Sequence, residues 1–140
     1  MNAPKPESKF SFEKRWHPEL TRFGHVQVST FFLEHYHHLQ PYPLTYEEAM
    51  FIIHLMQYKW GADAPFPAYA TLAERMHVSV KTARRLAASI QRKKYLVRKF
   101  RTGQTNVFEF GALMEALASA ARNPDILKKS PLSKKAASGK

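Results

Sequence analysis

The 140-residue chain contains no cysteine, which excludes a disulfide framework, a thiolate metal site and a cysteine nucleophile. No apolar run approaches the length of a membrane span, and the first residues, Met-Asn-Ala-Pro-Lys-Pro-Glu, lack the apolar core of a signal peptide. A soluble, intracellular protein with no membrane partner is the expectation. There is no phosphate-cradling glycine loop, no paired-carboxylate motif, and no order of Ser, His and Asp that suggests a triad. Neither an enzyme nor a cofactor is therefore expected. Acid is also scarce, with 11 Asp and Glu against 22 Lys and Arg. Between residues 75 and 107 it is absent, while ten Lys or Arg occur there.

That absence turns composition into a surface. The formal charge of +11 is concentrated in residues 75–107 and in the tail 122–140, and the rest of the chain is slightly acidic. A merely solvated face mixes signs, whereas a single-sign block of this length attracts phosphate. Hydrophobic residues at 44% and aromatics at 13% are a globular composition, and the length suits one domain with its own core.

Residues 1–24, rich in Pro, Lys and Ser, show no sustained period and are expected to form a flexible arm in which Phe10, Phe12 and Trp16 could dock. His25 to Val28 could form a short strand. A helix capped by Ser29 or Thr30 should then present Phe32, Tyr36 and Leu39 on one face until Pro41 and Pro43 end it. Thr45-Tyr46-Glu47-Glu48 has capping-box spacing. The helix it opens, to Tyr58 or Trp60 with Gly61 after it, is apolar nearly all round. Such a helix must be covered on several sides and is expected to be the central one.

A helix from Tyr69 to His77, a turn at Val78 and a Ser79-capped helix to Lys93-Lys94 follow. Ala83, Ala87 and Ile90 should face inward, with small Ala73 and Ala83 permitting a close crossing. Strands over 95–101 and 105–110 around Thr102-Gly103-Gln104 make a hairpin. An Ala-rich helix over 112–121 stops at Asn123-Pro124, and residues 122–140 read as a disordered basic tail. The histidines in Glu34-His35-Tyr36-His37-His38 do not converge at their helical spacing and read as solvent-facing, so no metal is expected.

With these residues in view, the segment 66–82, Phe-Pro-Ala-Tyr-Ala-Thr-Leu-Ala-Glu-Arg-Met-His-Val-Ser-Val-Lys-Thr, resembles the fPSyxtLAxrmGVSxxTV core of winged helix-turn-helix proteins. The resemblance is to the domains of phage, plasmid and bacterial replication-initiation proteins and related transcription regulators. Gln104-Thr105-Asn106-Val107-Phe108 is similar to the return strand of the wing in that group, xTNxY. The likeness extends over residues 26–121 in layout and has motif quality over 66–108. It implies a mainly α fold with a small β-hairpin wing, a winged helix-turn-helix over residues 25–121. The chain departs from the pattern at Ala68, which cannot accept a capping hydrogen bond, and at His77 and Lys94, where glycine is usual. Both glycine positions need positive φ, at about 1–2 kcal/mol for another residue.

The fold assigns roles. The helix over 79–93 should enter the major groove with Val80, Lys81, Thr82, Arg84 and Arg85 near base edges, and Ser79 suits a phosphate. Tyr69, Thr71 and the wing residues Arg98, Lys99, Arg101, Thr102 and Gln104 would hold backbone or probe the minor groove. The expectation is a cytoplasmic, nucleoid-associated protein that binds double-stranded DNA in replication initiation or transcription regulation. A homodimer is left open. The alternative is an interaction module that docks a replisome or polymerase partner through the helix over 45–60 and the last helix. RNA has weaker support, since the sequence shows no aromatic stacking platform of the kind RNA modules use.

Overall fold

The computed structural model describes residues 11–58, 67–99 and 107–129. In these residues the helices are α1 (Phe12–Arg15), α2 (Thr30–His35), α3 (Tyr46–Met56), α4 (Tyr69–Met76), α5 (Val80–Arg92), α6 (Gly111–Ala121) and α7 (Pro124–Leu127). Two 3₁₀ turns, Pro18–Phe23 and Tyr36–His38, join the first of them. A single antiparallel hairpin pairs β1 (Val97–Lys99) with β2 (Val107–Glu109). The chain is mainly helical with a small β-wing. The expected helix end at Gly61, the wing turn at 102–104 and the tail beyond residue 129 lie outside the described residues.

α3 begins where its local chemistry says it should. The Thr45 hydroxyl accepts the Glu48 amide at 3.1 Å while the Glu48 carboxylate accepts the Thr45 amide at 2.8 Å, closing the capping box. The helix then buries Ala49, Phe51, Ile52 and Leu55 and half-buries Met50, Ile53 and Met56. It lies against both α4 and α5, as an all-round apolar helix must. Leu72, Ala73, Ala83, Leu86, Ala87, Ile90, Phe108 and Leu113 belong to the same core.

Both helices of the helix-turn-helix end in the same way. His77 has φ 59° and Lys94 φ 70°. The Val78 amide reaches the Ala73 carbonyl and the His77 amide that of Glu74. One helix later, Tyr95 bonds Ile90 and Lys94 bonds Gln91. These are two Schellman turns, which satisfy the last carbonyls by placing one left-handed residue after the helix, and here neither residue is glycine. At the other end of α4, Ala68 makes no side-chain cap.

Four details differ from the sequence expectation. Residues 25–28 form no strand, since no neighbouring strand among the described residues offers them a ladder. α2 is α-helical only to His35 and tightens into a 3₁₀ turn before Leu39, which is nevertheless buried. The arm is not featureless: Phe12 stacks on His25 with ring centroids 4.9 Å apart. In the segment expected to be disordered tail, Asn123 accepts the Asp125 amide at 2.9 Å, caps α7 and drops Ile126 into the core. Pro124 ends α6 but also suits the first turn of the next helix.

Candidate nucleic-acid interface

α5 has two distinct faces. Ala83, Leu86, Ala87 and Ile90 are buried, while Lys81, Arg84, Arg85 and Arg92 are exposed. At its start the Ser79 hydroxyl accepts the Thr82 amide and donates to the Thr82 hydroxyl, both at 3.0 Å. Ser79 thus fixes the helix entry and engages the half-buried Thr82, and the remaining first-turn amides, those of Val80 and Lys81, have no intrahelical acceptor. Val80 is 38% exposed beside them. Among residues 79–85, Ser79, Val80, Lys81, Arg84 and Arg85 are exposed, Thr82 is half-buried and Ala83 is buried.

The hairpin joins this surface through one ring. Arg98 pairs with Phe108 across the ladder, and directly opposed residues share a face. Phe108 is fully buried, so Arg98 turns inward beside it while Val97 and Lys99 point to solvent. There the Arg98 guanidinium donates to the Tyr69 hydroxyl at 3.0 Å and lies over the Tyr69 ring at 5.6 Å. The Arg84 guanidinium lies over the same ring at 5.7 Å, and Phe108 meets it edge-on at 5.8 Å. Tyr69 from α4, Arg84 from α5 and Arg98 from β1 are thus assembled into one cation–π cluster. Thr71 is half-buried in the first turn of α4. Arg101, Thr102 and Gln104 lie outside the described residues.

The basic run is not acid-free in space. Glu47 approaches Arg85 at 3.9 Å and Glu109 approaches Lys99 at 3.5 Å. All four side chains are well exposed, so these pairs hold weakly and exchange readily for other anions. Lys93 is different. Its ammonium donates to the Glu48 carboxylate at 2.6 Å and to the Pro43 carbonyl at 2.8 Å, which makes it part of the scaffold and removes it from the surface charge. Glu48 is buried and also accepts from the Ser89 hydroxyl. Burial pushes its carboxyl upward, but the hydrogen bonds from Lys93, Ser89 and the Thr45 amide, with the Lys93 charge, outweigh this and hold it below the usual glutamate range. Tyr95 adds a second tie from the end of α5, donating to the Tyr42 carbonyl at 2.6 Å and accepting the Tyr42 amide at 3.1 Å.

The histidines are not all solvent-facing. His35 is fully buried, and its Nδ1 lies 3.1 Å from Nδ1 of His38. No group of three His, Cys, Asp or Glu among the described residues is arranged to hold a metal. No described helix is long and apolar enough to cross a membrane.

An exposed basic helix, a tyrosine-tied hairpin and an all-helical support are a winged-helix arrangement, and a family model described as the DnaD N-terminal domain matches residues 28–124. The chain belongs to the DnaD N-terminal domain family. This is a replication-initiation family of winged-helix-like fold, made up of non-enzymatic replication proteins. No curated protein matches the chain. The DnaD-type match opens at Val28, immediately before α2, and closes at Pro124, the first residue of α7. It leaves out the arm, where Trp16 and Phe23 are 70% and 72% exposed. The sequence allowed Trp16 to dock, whereas it is exposed, and Phe23 is the ring that sequence reasoning did not single out. Their alternation with Lys14, Arg15 and Arg22 was the available signal.

Proposed function

We propose that the chain binds double-stranded DNA during replication initiation, with α5 in the major groove and the wing over residues 95–110 on backbone or minor groove. The observation that carries this reading is the split of α5 into a fully buried apolar face and an exposed face bearing Lys81, Arg84, Arg85 and Arg92. Ser79, Val80, Lys81, Thr82, Arg84 and Arg85 form the groove-facing set, in which an arginine can fork onto guanine and the Val80 or Thr82 methyls can meet a thymine methyl. Tyr69, Thr71, Arg98, Lys99, Arg101, Thr102 and Gln104 form the backbone set. Membership of a replication-initiation family favours replication over transcription regulation.

Binding of a duplex pool should weaken steeply with salt, with a slope of log affinity on log salt near −4 to −7 for about 5–8 phosphate contacts. Replacing Lys81, Arg84 and Arg85 together with alanine should weaken binding and flatten the slope by about 3. A flat salt dependence, or unchanged binding in the triple variant, defeats the reading. Selection of bound duplexes from a random pool then gives the site and shows whether it is palindromic, as a homodimer would require.

The second reading, a module that docks a replisome or polymerase partner, is favoured by one observation. A hollow of about 200 Å³ between α2, α3 and α6 is lined by Phe32, Ile53, Met56, Leu113, Met114 and Leu117, among others. Binding of such a partner that survives nuclease and the triple substitution, but is lost in Met114→Glu, would establish it.

A further inference from the structure

The arm segment and the edge of the domain carry exposed rings that the duplex reading does not use. Trp16 and Phe23 are 70% and 72% exposed and so offer open ring surface to a ligand. The Arg22 guanidinium lies over the Phe23 ring at 4.7 Å, and Arg75 lies over Tyr58 at 5.7 Å. Two hollows run along this side. One, of about 350 Å³, is lined by Trp16, Arg15 and His25, and the other, of about 380 Å³, by His25, Phe23, Tyr58 and Arg75. His25 lines both, and the rings and cations around the two hollows together form a candidate track. Lys14 shares α1 with Arg15, while Glu13 and Glu19 are the acids of the same segment.

We infer that this track binds single-stranded DNA, its rings stacking on bases and its arginines following the backbone. Alternating aromatic faces and cations are what a sequence-tolerant single-strand site requires, and a paired, stacked base has no free face to offer Trp16 or Phe23. A polyanion also complements Arg22 and Arg75, whose guanidinium groups lie over the Phe23 and Tyr58 rings, which an apolar peptide would not. The inference stands on these residues alone and not on the duplex reading.

The test uses the full chain with Trp60→Phe, so that Trp16 is the sole emitter, and a dT oligonucleotide of about 16 nucleotides. Saturable quenching of Trp16 emission is expected. Trp16→Ala and Phe23→Ala should each weaken binding of labelled dT, read by anisotropy, by about 5- to 150-fold, while duplex binding is unchanged and circular dichroism shows a native fold. The Lys81, Arg84 and Arg85 triple variant should still be quenched by dT. Absence of quenching, dT affinity unchanged in both aromatic variants, or loss of dT binding only in the triple variant overturns the inference. Tighter binding of rU than of dT overturns the assignment to DNA.

Discussion

Glu48 does two jobs with one carboxylate, capping α3 through Thr45 and holding Ser89 and Lys93 near the end of α5. Removing it loses the cap and leaves Lys93, mostly buried, without its anion. Glu48→Ala should cost about 3 kcal/mol, read as a lower urea midpoint with an unchanged m-value. The capping box was readable from four consecutive residues because its chemistry is local. The ion pair was not, because no spacing rule connects residues 48 and 93. His77 shows the reverse case. Its positive φ followed from the glycine usual at that position, and the observed φ of 59° bears it out. His77→Gly should therefore stabilise by about 0.5–1 kcal/mol, the relief of a left-handed side chain less the entropy of a freer unfolded chain. A destabilised glycine variant in the same urea titration would contradict this.

Periodicity located the helices that matter. α4, α5 and α6 lie where the apolar spacing puts them, and α3 begins at its capping box but ends at Met56, short of the Tyr58 or Trp60 expected of it. The hairpin was readable as an element but not in its orientation. Alternation over 95–101 allowed either face to be buried, and only the pairing of Arg98 with Phe108 decides that Arg98 faces Tyr69. Short segments were the weak point: residues 25–28 and 124–127 carry too few residues for a period to separate strand, coil and helix. The Tyr69 cluster gives a prediction about how these elements act together. Tyr69→Phe keeps the ring under Arg84 and Arg98 but removes the 3.0 Å hydrogen bond from Arg98, so duplex binding should fall only a few-fold. Tyr69→Ala removes both and should approach the Arg84→Ala, Arg98→Ala double variant in filter-binding titrations. Equal effects of phenylalanine and alanine would mean that the ring contributes nothing.

On the acid side of neutrality, protons and folding are linked in one direction. Burial, then His37, Lys129 and His35, lower the His38 pKa, and burial, then Arg75 and His77, lower that of His54. For both, the unfolded chain binds protons more readily than the folded one. Their stabilising contribution is therefore complete above the ordinary histidine value of 6.5 and is lost as pH falls below it. Glu48, also lowered, adds a second loss as pH falls below the ordinary glutamate value of 4.5 and through its own depressed pKa. The urea midpoint should accordingly decline from about pH 7.5 to 5.5 and more steeply below about pH 4.5. A midpoint that rises on acidification would contradict the sign. The charge that sequence reading placed on one stretch is also redistributed by folding: Lys93 is internal, and Glu47 and Glu109 arrive beside Arg85 and Lys99 from other elements.

Because Arg84 on α5 and Arg98 on the wing rest on the same tyrosine ring, the positions of helix and wing are coupled through that ring. If α5 and the wing engage duplex DNA as proposed, such a linked span would act as a gauge. Sequences whose grooves already have the matching width would be accepted without strain, and stiff or ill-sized ones would have to deform. Some of the preference among DNA sites would then come from base pairs that no side chain touches.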